Sequence, residues 1–154
     1  MNREQLAATL LGAVLDVDTC GFAKREVLGR ILPYIDTFLY DIKAMDEQLH
    51  IRLTGQSNRV ILDNLAYLVQ KNARIEVRYP LVSGVNDGEC EAIARYLASL
   101  GGILRVKVLR YHRFAASRYE ALGTPCTLPE ATTTGGHVLR AVEIFRGHGL
   151  DAIC

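Results

Sequence analysis

Four short runs rich in Val, Ile, Leu and Tyr recur along this chain, and a helical stretch follows each. The runs are VLDVDT (14–19), TFLYDIK (37–43), IEVRYPLV (75–82) and ILRVKVLRYH (103–112). Between them lie AKREVLGRILPYI (23–35), a short polar helix near 46–53, a longer helix over 58–72, and ECEAIARYLASLG (89–101), which Gly101 and Gly102 stop. A long loop follows residue 112, and the last helix is expected over about 135–147; residues 3–11 read as the end of an earlier helix. Strands separated by helices of this length mean βα units and a parallel sheet, with right-handed crossovers placing the helices outside. The fold class is therefore α/β, with four βα units in a single domain spanning the 154 residues.

Composition removes several functional classes. Lys and Arg total 18 against 17 Asp and Glu, so nothing in the net charge favours nucleic acid or an anionic membrane surface as partner. No apolar run reaches the ~18 residues that span a bilayer. Asp16 and Asp18 stand where a signal peptide needs small uncharged residues, which points to a cytoplasmic protein. Cys20, Cys90, Cys126 and Cys154 lie tens of residues apart with no CxxC spacing, and read as isolated thiols.

In parallel α/β sheets, ligands bind at the carboxyl ends of the strands. Here the first run ends in Asp16, Asp18 and Thr19, the second in Asp41 and Lys43, the third in Arg78 before Tyr79 and Pro80, and the fourth in Arg110, Tyr111 and His112. Strand period puts Asp16 with Asp18, and Asp41 with Lys43, on one face. Any one of these residues is as easily a solvated strand end; four polar ends together describe a site, because half-buried charges need partners. His50, His137 and His148 read as surface residues, Tyr40 and Tyr111 as packing, and Gly84 with Asn86, Asp87 and Gly88 as turn formers. A strand-end Lys43 beside Asp41 also suits a Schiff-base aldolase, and the residue pattern alone leaves that reading open.

Four blocks resemble the glycyl-radical-enzyme activating enzymes of the radical S-adenosylmethionine superfamily, the group that includes pyruvate formate-lyase activation. They are DVDTCGFA (16–23), FLYDIKAMDEQLHIRLTGQSN (38–58), VRYPLVSGVND (77–87) and LRYHRFAASRYEALG (109–123), in the family's order and spacing. The resemblance implies the last four βα units of a partial (β/α)6 barrel. It implies a parent enzyme that cleaves S-adenosylmethionine reductively at a [4Fe–4S] cluster. The resulting 5′-deoxyadenosyl radical takes hydrogen from a glycine of a partner such as pyruvate formate-lyase. Carried over by motif, Asp18 and Thr19 lie near S-adenosylmethionine and a monovalent cation. Asp41, Lys43 and His112 line the S-adenosylmethionine site, and Arg78 contacts the partner's glycine loop.

The chain departs from that pattern in three places. Arg110 replaces a proline. Gly135 and Gly136 open the last helix, where two helical glycines cost roughly 2 kcal/mol relative to alanine, so a late helix start is expected. The CxxxCxxC cluster motif and the glycine-rich GGE segment are not in the sequence. The chain alone is therefore expected to bind no cluster, hold no cofactor and be inactive, with Asp41 and Lys43 exposed and paired mainly with each other or water. The 14–19 strand is expected to be a long apolar edge that promotes self-association. The other reading is a noncatalytic module, or half of a split enzyme, that docks a glycyl radical enzyme or a cluster-bearing fragment.

Overall fold

The computed structural model describes residues 14–112, 123 and 131–154. The expected helix over 3–11, Cys126 and most of the loop after residue 112 lie outside the described residues. Five parallel strands form one sheet in the order of the chain: β1 (Asp16–Thr19), β2 (Thr37–Asp41), β3 (Ile75–Leu81), β4 (Arg105–Arg110) and β5 (Ala152–Ile153). Helices α1 (Arg25–Ile31), α2 (Glu47–Thr54), α3 (Arg59–Gln70), α4 (Cys90–Leu100) and α5 (Gly135–Gly147) connect them.

The strands alternate sharply between two faces. Phe38, Tyr40, Ile75, Val77, Tyr79, Leu81, Val106 and Val108 are buried, and they form one core with Ile61, Leu65 and Leu68 of α3, Ile93 and Leu97 of α4, and Val138, Val142 and Phe145 of α5. Tyr79 and Phe145 meet edge to face, with ring centroids 5.9 Å apart. Each such side chain contributes about 1.5–3 kcal/mol through burial, which fixes the register. The opposite face carries Asp16, Asp18, Leu39, Asp41, Glu76, Arg78, Arg105 and Lys107, none of them buried. It is a polar, open face, as the lumen side of a partial barrel is.

Local chemistry sets the element ends. Pro33 converts the end of α1 into a 3-10 turn, Leu32–Tyr34, so the continuous helix is shorter than 23–35. Asp46 caps α2 by accepting from the Leu49 amide at 2.6 Å, and Gly55 closes that helix at φ 76°. The last helix does not start late. Thr134 Oγ1 accepts from the His137 amide at 3.3 Å while His137 Nδ1 accepts from the Thr134 amide at 3.2 Å, a reciprocal cap that lets Gly135 begin the helix. Four strands were expected, and β5 is a fifth: Ala152 pairs with Val106 and Ile153 with Lys107. Two residues are too few to show a period in sequence. His50 is buried rather than on the surface, its Nδ1 2.7 Å from the Gln56 carbonyl oxygen. The β1 edge is four residues long with exposed Asp16 and Asp18, so it is neither long nor uniformly apolar.

Candidate functional site

Asp41 and Arg78 occupy directly opposed positions on β2 and β3, and Arg78 is in turn opposed to Lys107 on β4. Asp18 on β1 lies one step lower, opposite Leu39. Neighbouring strands lie about 4.8 Å apart, so the long Arg78 side chain reaches across β2 to both carboxylates. Its Nε donates to Asp41 Oδ1 at 3.0 Å, and a terminal guanidinium nitrogen pairs with Asp18. Lys43 Nζ lies 3.5 Å from Asp41 Oδ2. Asp41 and Lys43 are thus not paired mainly with each other. The shorter and more buried contact of Asp41 is with Arg78.

Arg78 is 18% exposed and Asp41 22%, while Asp18 is 64% exposed. Burial works against the charged guanidinium, but Asp41 and Asp18 outweigh it and hold the Arg78 pKa above its usual value. Arg78, Asp41 and Asp18 from three strands, with Lys43 just past the end of β2, therefore form a charge-balanced cluster at the mouth. Thr19 does not join it: successive strand residues face opposite sides, and Thr19 Oγ1 accepts from the Gly21 amide at 2.9 Å in the turn after β1. His112 lies two residues beyond β4 and is exposed.

Buried amides hold the mouth in shape. Asn86 Nδ2 donates to the Lys43 and Pro80 carbonyl oxygens, both at 2.9 Å, and its Oδ1 accepts from the Val82 amide at 2.7 Å. Asn86 is 2% exposed and ties the end of β2 to the end of β3. Its main-chain oxygen also accepts from the Tyr79 hydroxyl. Asn58 donates to the Ala44 and Met45 oxygens at 3.0 and 2.8 Å, and Glu89 accepts from the Met45 and Asp46 amides at 2.7 and 2.8 Å. Asn64 donates to the Gly21 and Ala23 oxygens at 2.8 and 2.9 Å, fixing the turn after β1. Gly21 sits there at φ 71°, and a Cβ on it would lie 1.6 Å from the Tyr40 hydroxyl, so only glycine fits.

Sequence reasoning missed part of this constellation. Asn86 read as a turn former, and Asn58 and Asn64 were not singled out. On the polar face, Glu76 and Arg105 pair at 3.7 Å and Lys107 stands beside Arg78. The signal was there in the strict alternation of IEVRYPL and RVKVLR, whose polar positions share one face. A cleft of about 620 Å³ lined by Phe22, Lys24, Arg25, Val60, Asp63 and Asn64 lies against the turn after β1, away from the ion-pair cluster.

The donor set decides which groups the mouth suits. Paired carboxylates and cations are suited to a zwitterionic ligand. A [4Fe–4S] cluster needs several thiolates close together, and the described residues do not fit one. Cys20, Cys90 and Cys154 are separate free thiols, and no group of three or more metal-ligating side chains converges among the described residues. Burial pushes the Cys90 thiol pKa up, away from the thiolate form a cluster requires.

A parallel sheet with helices on one face, a charged open face and a polar mouth defines an α/β protein of partial-barrel type. A crystal structure of a domain of pyruvate-formate lyase-activating enzyme from Bacteroides vulgatus shares this fold. Its TM-score is 0.79 at 23% identity, and the match covers 96% of this chain and 84% of that one. No protein-family model matches the chain. Among curated proteins it is 38% identical over 112 residues to the choline trimethylamine-lyase activating enzyme of Oleidesulfovibrio alaskensis, covering 70% of this chain and 36% of that protein. It is 39% identical over 115 residues to the trans-4-hydroxy-L-proline dehydratase activating enzyme of Clostridioides difficile, covering 72% and 38%. It is 30% identical over 111 residues to the pyruvate formate-lyase 1-activating enzyme of Escherichia coli K12, covering 70% and 45%. The chain is a homologue of one portion of the glycyl-radical-enzyme activating enzymes, and spans less than half the length of these relatives.

Proposed function

We propose that this chain is the C-terminal portion of a glycyl-radical-enzyme activating enzyme and supplies one wall of an S-adenosylmethionine site. The observation that carries the reading is the convergence of Asp18, Asp41 and Arg78 from three strands, with Lys43 just after β2, into one cluster at the carboxyl ends. The Lys43 ammonium suits the carboxylate of an amino-acid moiety, and the Asp41 carboxylate suits its ammonium. In this reading Asp18 serves a monovalent cation without the Thr19 hydroxyl, which is engaged in the turn after β1, His112 closes the far side of the mouth, and Arg78 faces the glycine loop of a partner glycyl radical enzyme. S-adenosylmethionine, when bound, supplies the 5′-deoxyadenosyl radical that takes hydrogen from the partner's glycine. This chain's residues bind and orient. Cluster ligands come from elsewhere, so the chain alone is inactive, and it works in the cytoplasm. Copies also associate through the β1 edge. The homology to activating enzymes supports this over a lysine-based aldolase.

Titration calorimetry of the full chain with S-adenosylmethionine tests the reading. Wild type binds, and Lys43→Met weakens binding about tenfold, as expected for a charge-assisted hydrogen bond on a partly exposed lysine. Samples reconstituted anaerobically with iron and sulfide release no 5′-deoxyadenosine. Absence of binding by the wild type sinks the site assignment, and stoichiometric iron with product formation sinks the claim of inactivity.

A further inference from the structure

We infer that Lys107 and Arg105 form an anion subsite on the β4 side of the open face, and that it takes the carboxylate of an acidic side chain on a polypeptide crossing the sheet. Arg78 leans away from β4: its Nε and a terminal nitrogen reach Asp41 and Asp18, so both carboxylates stay on the β1–β2 side. Lys107, directly opposed to Arg78, is half-buried, and its ammonium has no ion pair among the described residues. Its neighbour on the other side is Ile153 of β5, which offers no charge. Two residues down β4, the Arg105 Nε is buried without an acceptor among the described residues; the Glu76 carboxylate lies 3.7 Å away, too far for a hydrogen bond. A buried donor left unpaired is costly, and so are like charges directly opposed across two strands.

The charge on this half of the face selects the ligand. Asp18 and Asp41 balance Arg78 and Lys43, and Glu76 balances Arg105, which leaves the Lys107 charge in excess. A monoanion completes the balance, and a phosphate dianion overshoots it. Alternate residues of a strand lie about 6.6 Å apart on one face, so Lys107 and Arg105 can flank a single carboxylate. At the opposite corner of the face, Asp16 is exposed and has no ion pair among the described residues. Register sets Asp18 level with Arg105, through Leu39 and Glu76; Lys107 is two positions above that level and Asp16 two below, three strands away. The separation is about 13 Å along the strands and about 14 Å across them. One free amino acid cannot bridge it, whereas an extended segment with a base at one end and an acid at the other covers the diagonal in about six residues. Half-buried Leu39 lies between, as an apolar contact for the intervening side chains. The source of that polypeptide, a partner enzyme, rests on the preceding reading; the subsite itself rests on the sheet.

The probe is a blocked peptide, Lys-Val-Thr-Ser-Val-Thr-Glu, titrated into the isotope-labelled full chain at low salt, with the amide shifts of β4 as readout. It should bind about fivefold more tightly than the same peptide ending in glutamine, the worth of one partly exposed ion pair. Lys107→Met should erase that difference, and Arg105→Gln should reduce it. The two peptides compared on the wild type need no variant, so a variant that fails to fold leaves the test intact. Acetate and inorganic phosphate are the controls. Acetate that binds as tightly as the peptide overturns the polypeptide occupant, and phosphate that binds more tightly overturns the carboxylate. No preference for glutamate over glutamine on the wild type overturns the subsite, as does a preference that survives Lys107→Met. A preference that vanishes in Lys107→Met while S-adenosylmethionine binds no form of the chain sinks the proposed function and leaves the subsite standing.

Discussion

Asn86 shows how much a single side chain contributes at this mouth. Its amide satisfies the carbonyl oxygens of Lys43 and Pro80 and the amide of Val82, three main-chain groups at the ends of two strands. Alanine there leaves buried donors and acceptors without partners, each costing about 1–3 kcal/mol. Asn86→Ala is expected to lose about 3 kcal/mol or more, measured as a shift of the urea midpoint at constant slope. Asn86→Asp should be no better, because a carboxylate cannot donate to two carbonyl oxygens. A change below about 1 kcal/mol in both would mean that the strand ends hold themselves. Read in sequence, Asn86 was one residue of a turn. Its role depends on Lys43, 43 residues away along the chain, and no local pattern reports such a contact. The same holds for His50, whose helical surroundings suggested solvent while its ring bonds back to the loop at Gln56.

At the scale of elements, β1 and the joint between α2 and α3 behave differently. The joint is closed by charge: Glu47 accepts from Ser57 at 2.7 Å and from Arg59 at 2.9 Å, and these bonds hold its carboxyl below the usual range. β1 pairs with β2 and has no second neighbour among the described strands. Such an edge is a template for a further strand, but Asp16 and Asp18 line it, and two copies would bring four aspartates together. Association through β1 should therefore grow with salt, as screening shortens the reach of that repulsion to about 8 Å at 0.15 M. Light scattering across protein concentration at low and high salt checks this, and a monomer under every condition removes the edge from consideration. Element type was readable from β1 to α5, because β-branched runs and helical stretches alternate cleanly, and only the two-residue β5 escaped. Register was not. That Asp41 faces Arg78 follows from how the core side chains interlock, and strand ends in sequence show only that both residues are near the mouth.

At the scale of the molecule, two core tyrosines and a third packed against the core have hydroxyls that bond to main-chain oxygens. Tyr40 donates to the Ile61 oxygen at 2.6 Å and Tyr96 to the Leu62 oxygen at 2.9 Å, while Tyr79 donates to Asn86. Burial is the main cause that raises the pKa of each. Their unfolded counterparts ionise near pH 10. The stability they contribute is complete below that pH and is lost as pH rises above it, because the unfolded chain releases protons that the native state retains. The urea midpoint is therefore expected to be flat with respect to these groups from neutral pH to about 10 and to fall beyond it, with tyrosinate absorbance appearing together with loss of secondary structure. Tyrosinate absorbance developing fully while the fold persists would contradict it.

The strand order β1-β2-β3-β4-β5 repeats the order of synthesis. Every strand docks onto the one made just before it, so none has to wait unpaired for a later segment to emerge from the ribosome. Each new helix covers a sheet that already has its previous strand in place. A chain arranged this way can assemble progressively during translation, with short-range closures at every step. The exception is β5, whose two residues reach β4 only after α5 has been built. Pairing of β5 with β4 is thus the step that adds the far edge of the described sheet.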